Sequence, residues 1–316
     1  MKFKNIRILL IFIFSGLTTN ILWQDYHSLP NIESFNRVSI LGVLTSYIIY
    51  LVIVSYRTLI ILNEITTKKI KFIDWFRLTI KGRFISKFIP QGGNIYRGII
   101  LKKSNNLSYN KYISYLGIFS WIDIIINLFV CLILLVILDS ELMLMDYRAL
   151  TIIFYSLLVI FLGPFLFKIL VEQLRFSNKF FDKLKIFTTE NVIKSLKKIT
   201  LLNLIKVVLI GILSIFVTVG TYYFSYSFLN LYPDIAKLSL YVCFIRISFV
   251  VSMTPGNIGI NELLLGTLTE LTGGTLVEGI TVALIIRLLT YFTLGILSLI
   301  FKIQTIQIDS KSSYKI

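Results

Sequence analysis

Long apolar stretches are the feature of this 316-residue chain that most limits its fold. A membrane crossing needs about 20 apolar residues in a helix, because hydrocarbon offers no water to the backbone polar groups. Hydrophobic residues make up 56% of the chain, above the share usual in soluble domains. The sequence therefore predicts an all-α, polytopic integral membrane protein. Six stretches are long enough to cross, near residues 6–23, 38–62, 113–138, 147–171, 200–229 and 277–301.

Two further apolar stretches, 72–103 and 238–273, are each interrupted in the middle by Pro and Gly. The first contains PQGGNIYR, which ends at Arg97, and the second contains PGNIGINE, which ends at Glu262. Pro removes a backbone donor and stops a helix, while Gly permits a tight turn. Each motif thus predicts a helix break. In both motifs a charged residue follows the proline by seven positions, and the two charges are of opposite sign.

Basic residues, which give the chain a net charge of +16, are concentrated in the segments 63–112 and 172–199. By the positive-inside rule these segments and the N-terminus are cytoplasmic. The Lys-containing tail, 302–316, is also cytoplasmic only if the stretch 238–273 enters and leaves the membrane on its outer side. We therefore expect two re-entrant hairpins, and both termini on the cytoplasmic side of an inner membrane.

The order of these elements is the same in each half of the chain: two spans, a broken hairpin and one span. Residues 1–138 are predicted to form one repeat and residues 147–301 a second repeat of opposite orientation, with a tail at 302–316. Inverted repeats with broken helices are common in secondary transporters, which bind substrate where the helices break. The sequence thus predicts one transmembrane domain with about six spans, two hairpins and an inverted repeat.

The first motif carries groups suited to an anion. Gly92 and Gly93 allow close approach of the backbone, and Asn94 is predicted to cap a helix that begins at Ile95. A helix N-terminus suits a phosphate, and Arg97 on the first turn could bind the same anion through its planar guanidinium. The alternative is a loop at a span boundary, with Arg97 extending to the interface.

The second motif repeats this arrangement with a carboxylate. Gly256, Asn257 and Gly259 form the predicted turn, and Glu262 follows it. The carboxylate could take a proton, pair with an Arg or hold a cationic headgroup. Because an unpaired charge deep in a bilayer costs about 2.5–3.5 kcal/mol or more, Glu262 is expected to have a partner. A structural Arg–Glu pair that ties the two hairpins together is compatible with a binding role.

Further charged residues lie within the apolar stretches. Arg57, Arg246 and Arg287 are expected to face the interior of the bundle, as intramembrane Arg usually does. Asp123 is the other deep carboxylate; it is a candidate for substrate binding or for a hydrogen bond to a neighbouring helix, as is Asn127 on the same helical face. Two groups of tyrosines could line a lipid path or form interfacial belts: Tyr47, Tyr50 and Tyr56, and Tyr222, Tyr223 and Tyr226.

The sequence contains no motif of a soluble enzyme: the Walker loop, GxSxG and HExxH are all missing. Zinc-ligand spacing and nucleic-acid signatures are missing as well. We therefore predict no catalytic residue, metal, cofactor or nucleic-acid partner. Basic residues beside apolar spans are better explained by membrane topology and by anionic lipid.

Taken together and in this order, the two motifs resemble those of the flippase-like membrane family named after the transmembrane region of lysylphosphatidylglycerol synthase. That family typically has a proline followed by Gly-Gly-Asp-x-x-Arg, and later a proline with Gly-x-Gly-x-x-Glu. In this chain Asn94 stands where an acidic residue is usual, and Asn257 replaces a glycine. The span that contains Arg287 also looks like the family's last helix. Because we expect no soluble aminoacyltransferase domain in this chain, the resemblance implies lipid handling or translocation, not lysyl transfer.

We therefore expect a flippase for an anionic phospholipid, an aminoacyl-phospholipid or a polyprenyl-linked glycan. Arg97, Arg287 and Arg246 would hold the phosphate, and Glu262 would balance charge or bind a cationic headgroup. Two alternatives stay open. One is a membrane transferase of cell-envelope lipid or glycan synthesis, with Glu262 or Asp123 as its reactive carboxylate. The other is a non-catalytic partner of an envelope synthase.

Overall fold

A computed structural model describes most of the chain. The described residues are 36–66, 68–138, 198–251, 254–271 and 273–301, with isolated positions at 16, 20, 155, 156 and 159. Apart from those positions, the predicted spans 6–23 and 147–171, the basic segment 172–197 and the tail 302–316 lie outside the described residues.

Eight α-helices have described bounds, and the described ranges contain no strand. The all-α fold class is therefore confirmed for these ranges. The full number of spans and the inverted repeat stay predictions. The helices are α1 (Arg37–Ile65), α2 (Phe72–Phe88), α3 (Gly92–Asn105), α4 (Tyr109–Leu138), α5 (Leu201–Phe228), α6 (Ile235–Val251), α7 (Ile260–Leu271) and α8 (Leu276–Ile300).

Four of these helices are long and apolar enough to cross a membrane: α1, α4, α5 and α8. They coincide with the predicted spans at 38–62, 113–138, 200–229 and 277–301. The protein is thus an integral membrane protein. In contrast, α3 and α7 have 14 and 12 residues, fewer than the roughly 20 that a crossing needs.

Helices α1 and α5 pack side by side in antiparallel orientation. Near the start of α1, Ser39 Oγ lies 3.0 Å from Ser227 Oγ near the end of α5. Towards the other end of the pair, Arg57 Nε donates a 3.0 Å hydrogen bond to the carbonyl oxygen of Val207. These contacts fix the register of the two helices, which together provide one wall of the site described below.

The first broken segment is a helical hairpin formed by α2 and α3. Gln91 adopts a left-handed conformation with φ of 59°, and α3 begins immediately afterwards at Gly92. The prediction that Asn94 caps a helix starting at Ile95 was therefore wrong. Asn94 lies within the first turn of α3, because the left-handed Gln91 reverses the chain and lets its carbonyl oxygen accept the backbone N–H of Asn94 at 3.0 Å.

Gly93 allows the two arms of this hairpin to touch. A Cβ atom at Gly93 would overlap the carbonyl oxygen of Gly82 in α2, so only glycine fits there without a shift. The Gly93 N–H also donates to Ser86 Oγ at 3.1 Å, which joins the start of α3 to the end of α2. The glycine pair thus permits a close approach of backbone, as expected from the sequence. The group that approaches is the backbone of α2.

The second broken segment consists of α6, a short 3₁₀ turn at Pro255–Asn257, and α7. Gly256, Asn257 and Gly259 all have positive φ values, of 58°, 52° and 81°. Glycine and asparagine tolerate this region best, which explains why the motif contains them. The predicted helix break before Glu262 is confirmed.

Candidate functional site

A cavity of about 330 Å³ lies among six of the helices. Its volume is within the range of small-molecule sites, roughly 300–1,000 Å³. Tyr50, Asp123 and Thr290 lie near the middle of their helices, which puts the cavity deep within the bundle. The lining residues are Tyr47, Tyr50 and Val54 of α1, Arg83 and Lys87 of α2, Phe119, Ser120 and Asp123 of α4, Thr218, Thr221 and Tyr222 of α5, Val242, Ile245 and Arg246 of α6, and Ile286 and Thr290 of α8.

The charged groups of the cavity are predominantly basic. Among the described lining residues, three cationic side chains, Arg83, Lys87 and Arg246, stand against one carboxylate, Asp123, so these residues carry a net charge of +2. Arg83 and Lys87 are four residues apart and so lie on the same face of α2. Such a deep cationic surface is suited to an anion, because an unbalanced charge is costly in hydrocarbon.

Asp123 links three helices through two arginines. Its carboxylate pairs with Arg57 of α1 and, at 3.1 Å, with Arg246 of α6. Arg57 is completely buried and lies 4.9 Å from the ring centroid of Phe119. Asp123 therefore acts at least as a structural counter-charge. Asn127 is separate from this network, since its amide donates to the Asp123 carbonyl oxygen within α4 at 2.6 Å.

Tyr50 lies between two of the cavity's arginines. The guanidinium carbon of Arg83 is 5.2 Å from the Tyr50 ring centroid, and that of Arg246 is 6.0 Å from it. Arg83 also interacts with the hydroxyl groups of Tyr47 and Tyr50. Tyr47, Tyr50 and Tyr222, from the two predicted tyrosine groups, thus line the cavity, whereas Tyr56 packs against Phe72 outside it.

The second helix break is held by an ion pair. Glu262, only 2% exposed, accepts a 2.7 Å hydrogen bond from the Gly259 N–H and forms a 2.6 Å salt bridge with Arg287 of α8. The same Arg287 nitrogen donates to the carbonyl oxygen of Asn257 at 3.2 Å. Glu262 is thus paired, as expected, but its partner is Arg287 of α8 and not an arginine of the other hairpin.

The first helix break holds Arg97 close to its own hairpin. Arg97 donates to the Gly93 carbonyl oxygen at 3.3 Å and to the Asn94 side-chain oxygen at 2.5 Å. Its guanidinium carbon lies 5.9 Å from the centroid of the Trp75 ring in α2. Arg97 is not among the residues that line the cavity described above.

The two broken segments contact each other. A Cβ atom built on Gly256 would lie 3.6 Å from both the Cδ atom and the carbonyl oxygen of Lys87, the last charged residue before the first break. The Lys87 ammonium lies 4.8 Å from the ring centroid of Tyr291 in α8. The contact is therefore made by the end of α2 with the second turn, and it connects the cavity to the Glu262–Arg287 pair.

The predicted site residues fall into three groups. Two of them line the cavity, five form the second break and its ion pair, and four belong to the first break. In that order the groups are Asp123 and Arg246; Gly256, Asn257, Gly259, Glu262 and Arg287; and Gly92, Gly93, Asn94 and Arg97.

Arg83 and Lys87 were not proposed from the sequence, which counted them among the cytoplasmic charges. Two signals could have singled them out. They are four residues apart, hence on one helical face, and they directly precede the break at Pro90 in an otherwise apolar stretch. Whether that face of α2 lies towards the cavity depends on how α2 packs against α1 and α8. No pattern in the sequence predicts this packing.

Metal-binding groups are not clustered in the described ranges: no three His, Cys, Asp or Glu side chains lie close enough to hold an ion. Cys131 and Cys243 are both buried free thiols. Asp123 and Glu262 pair with arginines instead, so ion pairing and anion binding are the chemistry that this arrangement offers.

Comparison with known proteins gives one family. Neither the curated proteins nor the solved structures contain a match to the chain. The family model described as the lysylphosphatidylglycerol synthase TM region matches residues 7–298, which is most of the 316-residue sequence. The chain therefore belongs to the family of the lysylphosphatidylglycerol synthase TM region.

Proposed function

We propose that this protein moves lipids with a phosphate-containing headgroup between the leaflets of the cytoplasmic membrane. The headgroup would occupy the cavity while the acyl or polyprenyl chains stay in the hydrocarbon. The family supports the coarser part of this proposal, a membrane protein of lipid or cell-envelope synthesis or transport. The observation that carries the finer part is a cavity lined by cationic side chains, deep among helices of which four are long enough to span the membrane.

The physical reason is the cost of moving a charged headgroup through hydrocarbon. A bare phosphate loses its hydration there, and a pre-formed site with cationic and hydroxyl groups replaces part of it. Arg83, Lys87 and Arg246 supply the charge, and Thr218 and Thr221 supply hydroxyl groups on the opposite helix. The apolar outer faces of the same helices suit the lipid tails.

The enzyme alternative receives less support from the geometry. A membrane transferase needs a carboxylate free to act as base or nucleophile, but Asp123 is shared by two arginines and Glu262 is bound by Arg287. The partner-protein alternative makes a different prediction, since it expects changes inside the cavity to be tolerated. The following experiment separates the three functions.

The test uses the purified full-length protein in liposomes that carry acyl-labelled phosphatidylglycerol or a labelled polyprenyl-phosphate sugar. A membrane-impermeant quencher removes the label of the outer leaflet. Label lost beyond that outer-leaflet pool measures how much lipid has crossed. We expect faster crossing than in protein-free liposomes. New product formed from the lipid would favour the transferase, and no crossing of either lipid with folded protein would refute the translocator.

A steric variant ties the activity to the cavity. Thr290→Phe would place a ring in the cavity, where Thr290 is 6% exposed, and is expected to slow crossing at least tenfold, equivalent to about 1.4 kcal/mol. Leu288→Phe is the matched control on the same helix, because Leu288 is 71% exposed on the outer face. Equal rates in the two variants would contradict the assignment of this cavity.

A further inference from the structure

We infer that the cavity selects headgroups with an anionic phosphate and no ammonium group, and that Arg83 and Lys87 are the residues that bind this phosphate. The inference rests on the proposed function and narrows its substrate class. It separates unmodified anionic lipids from aminoacylated ones, both of which contain phosphate. Three observations carry it: the balance of charge, the pairing of the charges and the position of the two cations.

The balance of charge favours an anion. Asp123 is the single carboxylate among the lining residues that the structure describes, against Arg83, Lys87 and Arg246. That carboxylate is already shared by Arg246 and the fully buried Arg57. Little negative charge is therefore left for Arg83 and Lys87.

The pairing of the remaining charges points the same way. Among the described residues, neither Arg83 nor Lys87 forms a salt bridge. Arg83 interacts with the hydroxyl groups of Tyr47 and Tyr50, and Lys87 lies over the Tyr291 ring. Glu262 acts on Lys87 electrostatically, but its carboxylate is bound by Arg287. Two partly buried cations thus lack a counter-ion, which a bound phosphate would supply.

The position of the two cations suits a phosphate. They lie one helical turn apart on α2 and both line the cavity. A guanidinium can bind two phosphate oxygens through its planar fork, while an ammonium acts as a compact point charge. A headgroup seated here would also contact the segment of α2 that meets the second helix break at Gly256.

A cationic headgroup is disfavoured by the same arrangement. Lysylated phosphatidylglycerol carries two ammonium groups and one phosphate, so its headgroup has a net charge of +1. It would meet described lining residues of net charge +2, whose one carboxylate, Asp123, is already paired. Phosphatidylglycerol and a polyprenyl-phosphate sugar share the required phosphate without the ammonium groups.

The experiment compares three acyl- or chain-labelled lipids in the liposome assay: phosphatidylglycerol, lysyl-phosphatidylglycerol and a polyprenyl-phosphate sugar. We expect the lysylated lipid to cross at least about tenfold more slowly than the unmodified phospholipid. The other two rates identify which phosphate lipid is preferred. Binding of short-chain phosphatidylglycerol and its lysyl form to the detergent-solubilised protein, measured in parallel, is expected to show the same order.

Charge variants on one helix face test the two residues. Lys87→Gln and Arg83→Gln are each expected to reduce the preference for the unmodified lipid about tenfold or more, the loss of one charged hydrogen bond. Lys87→Glu is expected to raise crossing of the lysylated lipid, a gain that misfolding cannot produce. Lys81→Gln is the matched control, since Lys81 lies on α2 but does not line the cavity.

The outcomes distinguish the inference from the function on which it rests. If all three lipids cross at similar rates, or if the Gln variants keep the wild-type preference, the inference is overturned while the translocator stands. If no lipid crosses, the translocator fails, and the binding preference alone decides whether the cavity is a phosphate site. Equal binding of both short-chain lipids would then overturn the inference.

Discussion

Arg287 in α8 and Glu262 in the first turn of α7 form a 2.6 Å salt bridge at the second helix break. Glu262 holds the Gly259 N–H with its other oxygen, and Arg287 donates to the carbonyl oxygen of Asn257. One ion pair thus provides hydrogen-bond partners for two backbone groups of the turn, the Gly259 N–H and the Asn257 carbonyl, which have no helical partner there. Backbone of this kind is tolerated at membrane depth only when protein or water supplies such partners.

Glu262→Gln should destabilise the protein, because it leaves the Arg287 charge without its counter-ion while keeping an acceptor for the Gly259 N–H. We expect a loss of roughly 3 kcal/mol in the free energy of unfolding, the lower end for breaking a buried pair, since the Arg287 side chain is 15% exposed. Unfolding in detergent measures this. Glu270→Gln, at an exposed position of the same helix, is the control, and an equal effect of the two changes would argue against a structural ion pair.

Asp123→Asn should be more damaging, because it removes the one carboxylate that serves both Arg57 and Arg246. Loss of one partner of a buried pair costs about 3–5 kcal/mol. Adding Arg57→Met to Asp123→Asn should recover part of that loss, since the fully buried cation is then gone. A double-mutant cycle in detergent measures the coupling, and strictly additive effects would show that the two residues do not interact.

Arg97 is predicted to stabilise the first break and not to determine which lipid crosses. Arg97→Gln removes donors to Gly93 and Asn94, at about 1 kcal/mol for each hydrogen bond. We expect a lower Tm and slower crossing of every lipid by a similar factor. Arg97→Lys keeps the charge and is expected to behave like Arg97→Gln. A selective loss of anionic lipids, rescued by Lys, would instead assign Arg97 to headgroup binding.

Cysteine labelling in intact cells can test the predicted topology. If α6 and α7 form a hairpin entered from outside, Glu270→Cys should react with a membrane-impermeant maleimide and Lys69→Cys should not. Both positions are exposed, whereas the native Cys131 and Cys243 are fully buried and should contribute little background. Labelling of Lys69→Cys and not of Glu270→Cys would show that the orientation is opposite to the predicted one. Labelling of both would exclude the re-entrant second hairpin.

The sequence predicted the features that depend on neighbouring residues, namely the membrane-spanning helices and the helix breaks. The apolar length of α1, α4, α5 and α8 marks them as spans, because hydrocarbon admits a backbone only when its hydrogen bonds are made internally. Pro marks the breaks at the two motifs because it stops a helix. Gly marks them because it permits the close approach of backbone at Gly93 and the positive φ of the second turn. The one local error concerned Asn94, because Gln91 took the left-handed position and moved the start of α3 forward to Gly92.

The pairing of charges was decided by tertiary structure. A sequence restricts which side chains share a helical face, but the rotation and register of packed helices determine which faces meet. For this reason Glu262 pairs with Arg287 and not with Arg97, and Asp123 pairs with arginines 66 and 123 positions away in the chain. The same packing turns Arg83 and Lys87 into the cavity, although their sequence neighbourhood resembles an ordinary cytoplasmic basic segment. Within the described ranges, the sequence alone thus determined where the chain spans and breaks, while helix packing decided which of its cations lie together without a carboxylate partner.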